Sequence, residues 1–147
     1  MRIRIVILAL MSVAAAAPVS AQPEVIIHFG HETPEWRSAP SGADFARLYG
    51  DPSRAEPFAF LMKMPADWTM QPHVHDTGEY LTVLSGILYM SFERDGEWTE
   101  LSPGSVIAIP AGVPMWAKTG DAETVIEVNG VGPFLTDPVP EEIVPQE

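Results

Sequence analysis

From residue 58 to 130 the apolar positions come in short alternating runs closed by turn signals, and nothing longer than one or two turns repeats at the helical period. The runs predict strands over 25–29, 45–49, 58–64, 72–75, 80–84, 87–93, 98–101, 105–109, 115–118 and 124–128. Asp95-Gly96 marks a hairpin turn between two of them, and Pro103-Gly104, Ala111-Gly112 and Gly120-Asp121 punctuate the others. Regularly spaced short strands predict an all-β sandwich or barrel. Residues 57–130 form its core. The segment 22–56, rich in Pro, Ser, Gly and charge, reads as a lead-in that wraps the barrel, with one short helical turn over 44–48. After Gly130, four prolines and four acids in seventeen residues predict an extended arm or a frayed end over 131–147, and such an arm can lie over a neighbouring subunit.

The first residues follow a different pattern. Met1 to Arg4 is basic, the thirteen residues to Ala17 are apolar or small, and Pro18-Val19-Ser20-Ala21 ends in a small-x-small sequence. This predicts a secretory signal peptide over 1–21, cut after Ala21, since a cut after Ala17 would leave Pro18 at the scissile bond. Thirteen residues fall short of the roughly 20 a spanning helix needs. A periplasmic or secreted location follows, with no membrane contact once the leader is removed. The chain has no cysteine, so no disulfide or attached lipid supports it and stability must come from packing, a metal or a partner subunit.

Composition then narrows the partners. Arg2 and Arg4 leave with the signal while all twenty acids stay, which takes the formal charge from −12 to −14. A surface this acidic repels nucleic acid and anionic lipid. It attracts cations, metal ions included.

Candidate chemistry gathers in 71–86 (QPHVHDTGEYLTVLSG), which holds two of the four histidines. On a strand, His73 and His75 point to one face with Cα atoms about 6.5 to 7 Å apart, so both imidazoles can reach one ion. Glu79 follows four residues later and can complete the set. Imidazole with carboxylate suits Fe, Mn, Ni, Zn or Co, whereas Mg and Ca prefer oxygen alone. Tyr80 adjoins Glu79 and should face the other way. His28 and His31 fit no such arrangement. Phe60, Trp68, Tyr80 and Trp116 are candidate pocket walls, and Glu127 a candidate hydrogen-bond partner or base; for each, a place in the core is the simpler reading.

These residues resemble the cupin superfamily, whose first motif reads G-x5-H-x-H-x3,4-E-x6-G and whose second reads G-x5-P-x-G-x2-H-x3-N. His73, His75, Glu79 and Gly86 match the first in order, with Asp67 in place of its opening glycine. Gly104, Pro110 and Gly112 match the second, seventeen residues after Gly86, as in compact single-domain bacterial cupins. The resemblance covers about half of the mature chain. It implies a double-stranded β-helix, the cupin jelly-roll barrel, holding a divalent transition metal and a small-molecule ligand or substrate, with barrel edges paired in a homodimer. Two departures qualify it: the second-motif histidine is Met115 and the asparagine position is Thr119.

A thioether is a poor ligand for Zn, Fe or Mn and selects Cu(I). Three readings follow: a three-ligand site with an extra open position, as in zinc peptidases that use two histidines and a glutamate; a degenerate barrel in which Met115 is core filling; or a copper site drawing on Met62, Met64, Met70, Met90 and Met115. The functions implied are a dioxygenase or lyase/isomerase, a non-catalytic binding or sensor module, and a metal chaperone, in that order.

Overall fold

The computed structural model describes Ile26 and residues 34–139, and every regular element among them is a strand. In chain order these are β1 (Arg37–Ser38), β2 (Asp44–Tyr49), β3 (Pro57–Met64), β4 (His73–His75), β5 (Glu79–Ser85), β6 (Leu88–Ser91), β7 (Thr99–Leu101), β8 (Val106–Ile109), β9 (Trp116–Thr119), β10 (Thr124–Val131) and β11 (Thr136–Pro138). Six of them make one antiparallel sheet in the order β1-β2-β3-β10-β5-β8. The three-stranded sheet β7-β6-β9 and the pair β11-β4 adjoin through an antiparallel bridge between His73 of β4 and Met115 just before β9, and Thr69 bridges Lys118 of β9. The result is an all-β barrel, as the strand spacing predicts, with the jelly-roll form that the resemblance implied.

Period-two alternation decides what faces inward. Phe58, Met62 and Met64 on β3, Leu81 and Val83 on β5, and Ile126 and Val128 on β10 enter one buried cluster with Leu88 and Met90 of β6. The same alternation continues the β5 row to Glu79, which sits 5% exposed beside these aliphatic residues. Tyr80 turns outward as expected, 57% exposed.

Two turns show why the motif positions carry the residues they do. Gly86 has φ +72°, and a Cβ there would stand 2.4 Å from the Glu123 carbonyl oxygen, so no other residue fits. Asp67, in the place of the family's opening glycine, has φ +55°, the one positive φ at a non-glycine residue among those described. Aspartate is among the few side chains that adopt this region readily. Replacing Asp67 with glycine is expected to leave stability unchanged or raise it by up to about 1 kcal/mol, while Gly86→Ala should cost about 3 kcal/mol or more. Urea unfolding midpoints of the two variants check both signs.

The hairpin turn expected at Asp95-Gly96 is present: β6 and β7 pair antiparallel across the loop 92–98, whose turn is closed by the Gly96 amide donating to the Glu93 carbonyl at 3.2 Å. Two expectations change. Residues 44–48 form no helical turn: they belong to β2, where Phe45 pairs with Met62 and Arg47 with Phe60, because an edge of β3 was available to satisfy their backbone. The tail does extend, but onto its own barrel, where Thr136–Pro138 pairs antiparallel with His73–His75. The signal segment, most of 25–29, His28, His31 and 140–147 lie outside the described residues.

Candidate metal centre

His73 and His75 are the two inward positions of β4, only 8% and 6% exposed. Their rings meet edge to face with centroids 4.8 Å apart. Each is held by its Nδ1: that of His73 lies 2.9 Å from the Gln71 carbonyl oxygen and that of His75 lies 2.8 Å from the Leu135 carbonyl oxygen. Donation of Nδ1–H to a carbonyl leaves Nε2 as the free lone pair, which is how metal-ligating histidines are commonly oriented. The Thr136 hydroxyl also approaches His75 Nδ1, at 3.3 Å. The Phe134 ring stacks on the His75 imidazole with centroids 3.8 Å apart.

Glu79 reaches the same place from β5. Its Oε1 is 3.8 Å from His75 Nε2. That is beyond hydrogen-bond range, and among the described residues no cation stands closer. Burial pushes its carboxyl from the ordinary 4.5 up to about 7. Burial likewise holds His75 below its usual range, opposed by its bond to Leu135, and so keeps the ring neutral. A neutral imidazole and a carboxylate lacking a cation are the electrostatics a metal ion would relieve. Among the described residues, however, no group of three or more His, Asp or Glu side chains stands in finished coordination geometry. To share an ion the side chains would have to move together from this arrangement.

The three residues line a cavity of about 920 Å³. Its walls are mostly apolar, with Phe45, Phe60, Met62, Trp68, Met90, Ile126, Val128 and Phe134 among them. Glu35, Arg37, Arg47 and Asp51 add charge. Of the proposed walls, Phe60 and Trp68 line the cavity. Tyr80 and Trp116 do not. Glu127 falls between Ile126 and Val128 on β10 and faces away, which removes it as a base or partner for the site.

A family model described as a cupin domain matches residues 60–127. The chain contains a cupin domain. No curated protein sequence matches it closely. Among solved structures, the polyketide cyclase RemF from Streptomyces resistomycificus aligns with a TM-score of 0.67 at 18% identity, over 78% of this chain and 86% of that one. The DMSP lyase DddQ from Ruegeria pomeroyi aligns at 0.60 and 20%, over 74% and 62%. A chain of the Rhodobacter sphaeroides SigE complex with the anti-sigma ChrR aligns at 0.56 and 17%, over 68% and 51%. This chain spans less than two thirds of the latter two.

Set in the cupin frame, Met115 occupies the third-histidine position, 3% exposed and lining the cavity, with its backbone paired to His73. Thr119 does structural work: its hydroxyl donates to the Pro65 carbonyl at 2.7 Å and accepts the Trp68 amide at 2.8 Å, which holds the Trp68 wall. Met62, Met70 and Met90 also line the cavity, whereas Met64 does not.

What sequence reasoning missed is the contribution of the tail. Phe134, the Leu135 carbonyl and Thr136 all act on His75, and the Leu135 amide is in turn anchored by Asp76 Oδ1 at 3.0 Å. The only hint was an apolar Pro-Phe-Leu step inside an otherwise Pro-rich acidic stretch.

Proposed function

We propose that this chain is an exported metal-binding cupin that acts on a small, mainly apolar molecule, as an enzyme of dioxygenase or lyase/isomerase type. The observation that carries the reading is that His73, His75 and buried Glu79 together line an apolar cavity, with both histidines fixed through Nδ1. The donor set fits Fe, Mn, Ni or Zn, and copper less well. Such an ion would serve as a Lewis acid that polarises a substrate oxygen. The chain supplies the rest: His73 and His75 present neutral nitrogens, Glu79 presents a carboxylate that can ligate or accept a proton, and the apolar walls exclude water from the bound molecule. Met115 leaves the fourth protein position without a strong donor, open to water or substrate.

Met115 also favours a second reading, a non-catalytic binding or sensor module whose metal site has weakened. The same fold serves many functions, so the fold does not choose. Metal content of the untagged mature protein decides: near-stoichiometric Fe, Mn, Ni or Zn supports the first reading, and none supports the second. His73→Ala and His75→Ala are expected to abolish metal binding while Met115→Ala retains most of it, measured by titration of metal-free protein. Equal losses in all three would overturn the three-ligand assignment. Export is checked by fractionation and by an N-terminus at Gln22.

A further inference from the structure

Resting on the metal-centred reading above, we propose that the cavity takes an aromatic or similarly flat unsaturated carboxylic acid, with Arg47 as the residue that binds its carboxylate. Two independent features lead there. The first is a row of rings. Phe45 and Phe60 stand 5.9 Å apart, Phe60 and Phe134 6.3 Å, and Phe134 and His75 3.8 Å, so aromatic faces and edges run without a break from β2 to the proposed metal end. A flat apolar body can lie against this row and gain the offset and edge-to-face contacts such rings favour.

The second is the charge of Arg47. Its register opposite Phe60 places it on the cavity face of β2. Four of the other described cations are engaged: Arg37, Arg54 and Lys63 lie 3.7, 3.9 and 3.6 Å from carboxylates, and Lys118 stands 4.2 Å over the Trp98 ring. The fifth, Arg94, sits in the β6–β7 loop, outside the cavity lining. Of the acids near Arg47 along the chain, Asp44 pairs with Lys63, and Asp51 accepts from the Ser53 amide at 2.9 Å and the Ser53 hydroxyl at 2.7 Å while the Arg47 charge acts on it only at longer range. Among the described residues no carboxylate stands within 4 Å of the Arg47 guanidinium, which lines the apolar cavity. A guanidinium matches a carboxylate in a planar two-point contact. Glu35 and Asp51 in the same lining disfavour a doubly charged phosphate and leave a monoanion as the better match. With its carboxylate on Arg47, the ligand presents its opposite end to His73, His75 and Glu79.

The test uses 2-naphthoate and its neutral isostere 2-naphthamide, titrated by calorimetry and by fluorescence of the cavity residue Trp68. Wild type, Arg47→Gln and Arg47→Lys are compared, each as purified and after metal removal. Naphthoate is expected to bind about tenfold more tightly than naphthamide to wild type with or without metal, roughly one charge-assisted contact at a partly exposed site. Arg47→Gln should bring the ratio to within about twofold, and Arg47→Lys should keep part of it. Equal binding of the two probes, a ratio unchanged in Arg47→Gln, a preference present only with metal, or no binding of either probe at millimolar concentration would each overturn the assignment. Because the ratio is read without metal, its failure is separate from a failure of the metal-centred reading.

Discussion

Ending the chain at Val131 is expected to weaken binding of a divalent transition metal by about 10- to 100-fold, the usual cost of losing the partners that orient a ligating histidine. The cut removes the Leu135 carbonyl that fixes His75 Nδ1, the Thr136 hydroxyl beside it and the Phe134 ring stacked on its face. It also removes the β11 pairing with His73–His75. His73 keeps its own anchor, the Gln71 carbonyl, and His75 and Glu79 remain in the chain, so some affinity should remain. Phe134→Ala separates packing from orientation. It deletes the ring but keeps the backbone, so the loss of affinity should be smaller than in the shortened chain, while stability falls by about 2 kcal/mol for a half-buried aromatic ring. Metal titration of both variants, with circular dichroism to verify the sheet, provides the measurement. Unchanged affinity in the shortened chain would mean that the tail does not orient His75.

The second large effect concerns Glu79 without metal. A carboxyl raised from 4.5 to about 7 binds a proton more readily folded than unfolded. Its contribution to stability is fully present below pH 4.5 and is lost as pH rises through about 7. The shift amounts to roughly 3 kcal/mol. Metal-free Glu79→Gln is therefore expected to match the metal-free wild type below pH 4.5 and to exceed it by up to about 3 kcal/mol at pH 8. His75, held below its ordinary range, acts in the opposite direction in both proteins, so the difference between them isolates Glu79. Adding metal at pH 8 should reverse the order, because the ion stabilises an ionised Glu79 and finds a weaker set in the glutamine variant. Urea unfolding at several pH values, with and without metal, reads this directly. A difference between the two proteins that is the same at pH 4 and pH 8 would rule out the buried-carboxylate account.

Much of the barrel was legible because its signals are local. The turn glycines and the alternation over 58–64, 80–84 and 124–128 predicted β3, β5 and β10 to within a few residues, since a strand that buries one face must alternate. His73 and His75 could be placed on one face by the same rule, whereas Glu79 meets them from β5 of the other sheet. β1 and β11 were not legible. Each is only two or three residues of mainly polar sequence, and each exists because a neighbouring strand leaves an edge to pair with. Glu127 misled for a related reason: its chemistry is suitable, but its parity on β10 directs it outward.

The sequence by itself determined the all-β barrel, the shared face of His73 and His75 with Glu79 as their candidate companion, and the presence of Met115 where a fourth ligand would stand. Only the tertiary structure decided which carbonyls orient the histidines, that the tail clamps β4, and that Arg47 opens onto the cavity. The division is physical. Period and turn chemistry act between residues close along the chain, whereas the bond from His75 to Leu135 spans 60 residues and exists only once the barrel has closed.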